Sequence, residues 1–115
     1  MVQLLRQDGL CSGTVRARVL PDGAISWQDA RELVGSYQKV CGPFKGMGNS
    51  TDDVFINLGR DYPDPDRFTI VLWDVGGVTQ NFSGAALLCA EGPITSYEGV
   101  AQIELRDAAD IEGYR

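Results

Sequence analysis

Histidine is absent from this chain of 115 residues, which removes the side chain that most often serves as a general base or a metal ligand. Cysteine is scarce, and Cys11, Cys41 and Cys89 include no pair at the C-x-x-C spacing of a metal or redox motif. A serine or cysteine nucleophile would have no histidine to activate it. We therefore expect no catalytic site, no metal site and no cofactor.

Long hydrophobic runs are also missing. No stretch of about 18 apolar residues could cross a bilayer, and the first residues, MVQLLRQDGLCSG, lack the basic segment and apolar core of a signal peptide. We expect no membrane association and a cytoplasmic location. The cysteines would then be free thiols, although Cys41 and Cys89 could form a disulfide if neighbouring strands carry them.

Positive charge is in short supply. Sixteen acidic residues against ten basic ones give a formal net charge of −6. Binding to phosphate draws much of its affinity from clustered lysine and arginine residues that release counterions, so an acidic chain starts at a disadvantage for nucleic acid. A nucleic-acid site would depend on a local arrangement of few cations.

Glycine and proline are plentiful, with fourteen and five copies, and they favour tight turns over long helices. Residues 1–24 are predicted to form an extended N-terminal arm or hairpin that a P-D-G turn ends. Residues 25–115 are predicted to form one domain that begins with a short helix in ISWQDARELVG. Ser26 is a favourable N-cap, Asp29 completes a capping box, and Gly35 suits the residue that ends the helix.

Alternating apolar and polar residues predict five strands after this helix. They span residues 36–46, 52–59, 67–73, 85–94 and 100–107. In the second strand Val54, Ile56 and Leu58 share one face, while Phe55 and Asn57 share the other. Gly-Pro at positions 42 and 43 marks a bend in the first strand, because proline cannot donate to a sheet. Five bent strands indicate a small closed barrel, since closure removes exposed edges.

Three blocks of sequence resemble a family of small bacterial OB-fold domains, which are usually described as nucleic-acid-binding-like. The blocks are ISWQDARELVGSYQKVCGPF, FINLGRDYPDPDRFTIVLW and EGPITSYEGVAQIELRDAADIE, and they cover roughly residues 25–112. The family patterns V-x-G, F-x-N-x-G and G-x-I-x-x-Y-x-G-x-x-Q-I-x-L are matched at positions 40–42, 55–59 and 92–105. The resemblance implies a mainly β, five-stranded OB-fold barrel and a binding module without catalysis. It is less specific for the ligand, because one fold hosts many functions.

An OB fold presents the outer surface of its second and third strands to a ligand, framed by loops. The candidates on this face are Phe55, Asn57 and Trp73, and the candidates that frame it are Lys45, Arg60, Arg67 and Tyr97. Aromatic rings can stack bases and the cations can track phosphates. The aspartates of the loop DYPDPD crowd the same region, and we expect them to cap turns rather than to bind metal.

Two other hypotheses stay open at this point. The outward row of Phe55, Val71 and Trp73 could be covered by the chain's own helix or arm, or by a second copy in a homodimer. This would make the chain a homo-oligomeric structural or interaction module. Alternatively, the same face could bind a protein, a peptide or a glycan.

Overall fold

The computed structural model describes residues 20–76, residue 82 and residues 85–114. These residues form mainly β structure with a 3-10 helix at Trp27–Leu33, called here the Trp27 helix, and a 3-10 turn at Ala108–Asp110. The strands are β1 (Ala24–Ser26), β2 (Tyr37–Gly42), β3 (Phe44–Ser50), β4 (Asp53–Leu58), β5 (Phe68–Leu72), β6 (Leu87–Tyr97), β7 (Val100–Leu105) and β8 (Glu112–Tyr114). Residues 1–19 of the predicted N-terminal arm or hairpin lie outside the described residues. In the described ranges no helix is long and apolar enough to span a membrane.

The strands form one mixed sheet in the order β1-β2-β6-β7-β5-β4-β3, with β8 also paired to β6. The strands β2 and β3 are consecutive in the chain and are separated only by Pro43. Yet β2 pairs with β6 while β3 pairs with β4, and β5 runs parallel to β7. The consecutive strands β2 and β3 therefore lie at opposite ends of the run β6-β7-β5-β4, which is consistent with a β-barrel-like fold.

The predicted number of five strands is wrong, because the described residues contain eight. Pro43 has no N–H to donate, so it splits the predicted first strand into β2 and β3. The other two additions, β1 and β8, are three residues long and flank the sheet. Strands this short show no alternation of apolar and polar residues, so the pattern does not reveal them.

The predicted inward faces are confirmed. Val54, Ile56 and Leu58 of β4 are at most 2% exposed and belong to one hydrophobic core. The alternate residues of β5, from Phe68 to Leu72, join the same core. Because side chains alternate along a strand, the remaining residues of β4 and β5 lie on the outer face of the sheet.

The predicted helix is confirmed in position, although it is a 3-10 helix. The Ser26 side chain accepts a hydrogen bond from the Gln28 N–H at 3.3 Å, one residue earlier than a capping box would use. Gly35 follows in the left-handed region, with φ of 97°. Trp27 packs on the core, and its indole lies so close to Gly59 that an added Cβ there would overlap it.

A disulfide joins Cys41 of β2 to Cys89 of β6, so the expectation of free thiols is wrong for this pair and the alternative of a bridge between neighbouring strands is correct. The two residues are directly opposite in the strand register and both are fully buried. The bond therefore links two neighbouring strands from inside the protein.

Candidate ligand groove on the outer sheet face

One row of residues across the outer face is polar, and we call it the polar row. Its members are directly opposite one another in register and are Gly46, Asn57, Thr69, Gln102 and Thr95. The Thr69 hydroxyl donates to Asn57 Oδ1 at 3.0 Å, and Gln102 Nε2 donates to Thr95 Oγ1 at 3.3 Å. Asn57 and Thr69 are each only 5% exposed, and the bond between them satisfies the Thr69 hydroxyl and Asn57 Oδ1.

A second row is apolar at its centre and lies two residues before Asn57 on β4 and two residues after Thr69 on β5. Val71 is paired with Phe55 on one side and with Glu104 on the other, and it is 1% exposed. The rings of Phe55 and Trp73 meet edge to face with centroids 6.4 Å apart, and Trp73 Nε1 donates to Glu104 Oε1 at 2.9 Å. The chain itself thus buries Val71, which needs neither a ligand nor a second copy to cover it.

A groove of about 820 Å³ lies over the polar row. Its walls are residues 47–49 of β3, the loop residues 61–63 and 65, and Tyr97 and Glu98 at the turn between β6 and β7. Four of the residues predicted for the site line this groove: Phe55, Asn57, Arg67 and Tyr97. The outer face of the sheet, as the described residues form it, therefore carries a groove that contains part of the predicted site.

Asp61 fixes the loop wall to the polar row. Its Oδ1 accepts hydrogen bonds from Asn57 Nδ2 at 3.0 Å and from the Tyr62 N–H at 2.8 Å. The carboxylate also sits directly on Gly46, where an added Cβ would overlap it. The glycine in β3 is therefore needed so that this carboxylate can approach the sheet.

Of the other two aspartates of the DYPDPD loop, Asp64 caps a turn as predicted, whereas Asp66 forms an ion pair instead. The Asp64 side chain accepts the Asp66 N–H at 2.8 Å, and Asp66 pairs with Arg31 of the Trp27 helix. Arg60 lies 3.7 Å from the Asp64 carboxylate. In residues 20–76, 82 and 85–114, no three histidine, cysteine, aspartate or glutamate residues are grouped to hold a metal ion.

Arg67 and Tyr62 form a stacked pair at the edge of the groove. The Arg67 guanidinium carbon lies 5.0 Å from the centre of the Tyr62 ring, and Nη1 donates to the Asp64 carbonyl at 2.9 Å. Arg67 Nε is buried and has no hydrogen-bond partner among the described residues. Tyr62 is 71% exposed and Tyr97 is 64% exposed, so both rings present open surface.

Three of the predicted residues do not line the groove: Trp73, Lys45 and Arg60. Trp73 follows β5, where its backbone N–H donates to the Leu105 carbonyl at 2.9 Å. Its ring packs against Phe55 and Glu104 outside the groove. Sequence reasoning missed Tyr62 and Gln102, which do line the groove. The alternation in VAQIELRD was the signal for Gln102, since Ile103 next to it points into the core and Gln102 therefore points outward.

Comparison with known proteins supports the fold only. No protein-family model and no curated protein matches the chain. The structure is similar to a crystal structure described as "a putative aspartyl-tRNA synthetase from Leishmania major Friedlin", with a TM-score of 0.55 and 13% identity over 89% of this chain. The chain spans 22% of the length of that protein. This similarity supports an OB-like fold, and it does not show membership of the small bacterial family that the sequence resembles.

Proposed function

We propose that this chain is a non-catalytic OB-fold binding module whose groove takes single-stranded nucleic acid. In this proposal β2 and β3 are two halves of the first barrel strand, β4 to β7 are the other four, and β1 and β8 are additions. The pairing of β2 with β6, of β3 with β4 and of β5 with β7 supports this assignment. The similarity to a protein named as a tRNA synthetase is compatible with it.

The observation that carries the proposal is a set of three aromatic rings around a polar floor. Phe55, Tyr62 and Tyr97 line one groove together with the Arg67 guanidinium. Rings stack bases whatever the sequence, at about 1–3 kcal/mol each. The hydrogen-bonded polar row beneath them keeps the floor rigid without filling the groove.

Self-association through the same face is the second candidate. The exposed rings of Tyr62 and Tyr97 favour it, because aromatic residues are enriched at protein interfaces. The row on which the sequence-based hypothesis depended gives it no support, since Val71 is buried by its own chain. Light scattering at high protein concentration separates the two, because a monomer contradicts self-association.

The predicted cytoplasmic location is not part of this proposal. A persistent disulfide such as Cys41–Cys89 is typical of oxidising compartments. A location inside the cytoplasm would require this bond to resist the reducing thiols there.

The test is a titration of a fluorescein-labelled single-stranded 20-mer, followed by anisotropy. We expect micromolar affinity at low salt and weaker binding at higher salt. Tyr97→Ala should weaken binding by about 5- to 150-fold, which corresponds to about 1–3 kcal/mol for one stacked base. Tyr37→Ala is the matched control, because Tyr37 is 65% exposed and does not line the groove. Absence of binding at low salt would contradict the proposal, as would equal effects of the two variants.

A further inference from the structure

The charge of the groove is unusual for a nucleic-acid site. Arg67 is the one cation among its described lining residues, whereas Asp61 and Glu98 are acidic, so one positive charge against two negative charges leaves −1. Lys45 and Arg60 lie outside this lining, and Arg60 faces the Asp64 carboxylate at 3.7 Å. A phosphate backbone that followed the groove would be repelled beside Asp61 and Glu98 and attracted only beside Arg67.

Arg67 is held in place before any ligand arrives. Its Nη1 donates to the Asp64 carbonyl and its guanidinium lies against the Tyr62 ring. Nε is buried and one Nη1 donor is used by the Asp64 carbonyl, so a ligand meets the other N–H groups of the guanidinium, whose geometry suits phosphate oxygens. One phosphate is therefore the anion that this corner of the groove can hold.

Stacking surface is more plentiful than positive charge. Tyr62 has Arg67 on one side of its ring and is open on the other, because 71% of the residue is exposed. Phe55 and Tyr97 supply the two other rings in the groove. Each ring can carry one base, so three rings match a stretch of about three nucleotides.

We infer that the groove is a short site for single-stranded nucleic acid, in which about three bases stack on Phe55, Tyr62 and Tyr97 and a single phosphate contacts Arg67. The inference rests on the proposed function and specifies its ligand: an unpaired segment bound by its bases rather than by its backbone. Affinity then depends little on salt and little on strand length beyond the site.

The test is a competition series of oligothymidylates from two to twenty nucleotides at about 50 and 200 mM salt. With one phosphate contact, the logarithm of the association constant falls with the logarithm of salt with a slope of about −0.7, which weakens binding about 3-fold over this range. Six contacts would weaken it about 300-fold. We expect affinity to rise up to three or four nucleotides and then to level off.

Two variants locate the phosphate. Arg67→Gln should abolish most of the salt dependence, whereas Arg60→Gln, outside the groove, should leave the slope unchanged. If Arg67→Gln does not fold, the slope and length dependence of the unmodified protein still decide the matter. A slope steeper than about −2, or affinity that still rises at ten nucleotides, overturns this inference while the proposed function stands. Failure of the 20-mer to bind at low salt overturns both.

Discussion

Replacing Gly59 with alanine tests how the Trp27 helix is seated on the sheet. Gly59 follows β4 with φ of 79°, and its N–H donates to the Pro43 carbonyl at 2.8 Å. An added Cβ would overlap the Trp27 indole well inside the 3.0 Å that real Cβ atoms keep. The substitution therefore combines backbone strain with a steric clash.

The two costs can be estimated separately. A left-handed φ costs an L-residue about 1–2 kcal/mol, and overpacking a core costs about 1–3 kcal/mol. We expect Gly59→Ala to lower the free energy of unfolding by about 2–5 kcal/mol. At roughly 4 °C for each kcal/mol, this corresponds to a fall in Tm of about 8–20 °C. A domain with about 5–15 kcal/mol of stability would be severely weakened.

Gly23→Ala is the matched control for this experiment. Gly23 has the same φ of 79°, but nothing lies within 4 Å of the Cβ position. Urea unfolding should therefore show only the strain of about 1–2 kcal/mol for Gly23→Ala. In a Trp27→Ala background, Gly59→Ala should fall to this same cost. If the two glycine substitutions are equal in the unmodified protein, Trp27 does not rest on Gly59 and the packing described above is incorrect.

Two further predictions concern the contacts that β2 makes with β8 and with β6. The Lys39 ammonium lies 2.8 Å from the Glu112 carboxylate, and the Tyr114 hydroxyl donates to the same carboxylate. The hydrogen bond from Lys39 lowers the pKa of Glu112 and raises the pKa of Lys39. The contribution of Glu112 to the free energy of unfolding should be present above its unfolded pKa of about 4.3 and lost as pH falls through its lower folded pKa. Glu112→Gln should therefore lower the free energy of unfolding, measured in urea, by about 0.2–1 kcal/mol at pH 7 and not at acid pH. An equal cost at both pH values would contradict the ion pair. Reduction of Cys41–Cys89, which closes a separation of 48 residues, should lower the free energy of unfolding by about 4 kcal/mol. Identical urea curves with and without reductant would contradict the bond.

The inward faces of the strands were predictable from sequence because burial imposes a period of two on β4 and β5. The break at Pro43 was predictable as a bend, but its consequence for strand pairing was not. Whether the residues on the two sides of Pro43 form one strand or two depends on the strands with which they pair. The partner of β2 is β6, which lies far away in sequence. β1 and β8 could not be predicted for a related reason, since their pairing with β2 and β6 is decided by tertiary contacts.

The candidate site was predictable where it lies within strands. Asn57 and Phe55 reach the groove because strand alternation fixes their direction. Loop residues follow no such rule, so the sequence did not distinguish Tyr62, which lines the groove, from Arg60, which does not. Trp73 lies on the outer face as alternation predicts, since its ring contacts Phe55, but alternation does not indicate how far along that face the groove extends.

The most direct test of the account is an NMR titration of the isotope-labelled protein with a short single strand of about four thymidines. We expect the side-chain amide signals of Asn57 and Gln102, in the polar row, to shift on binding. The side-chain amide signal of Gln38 on β2, which donates to the Ser36 hydroxyl and does not line the groove, should not shift. Shifts at Gln38 with Asn57 and Gln102 unchanged would contradict a ligand site on the outer face of β4, β5 and β7.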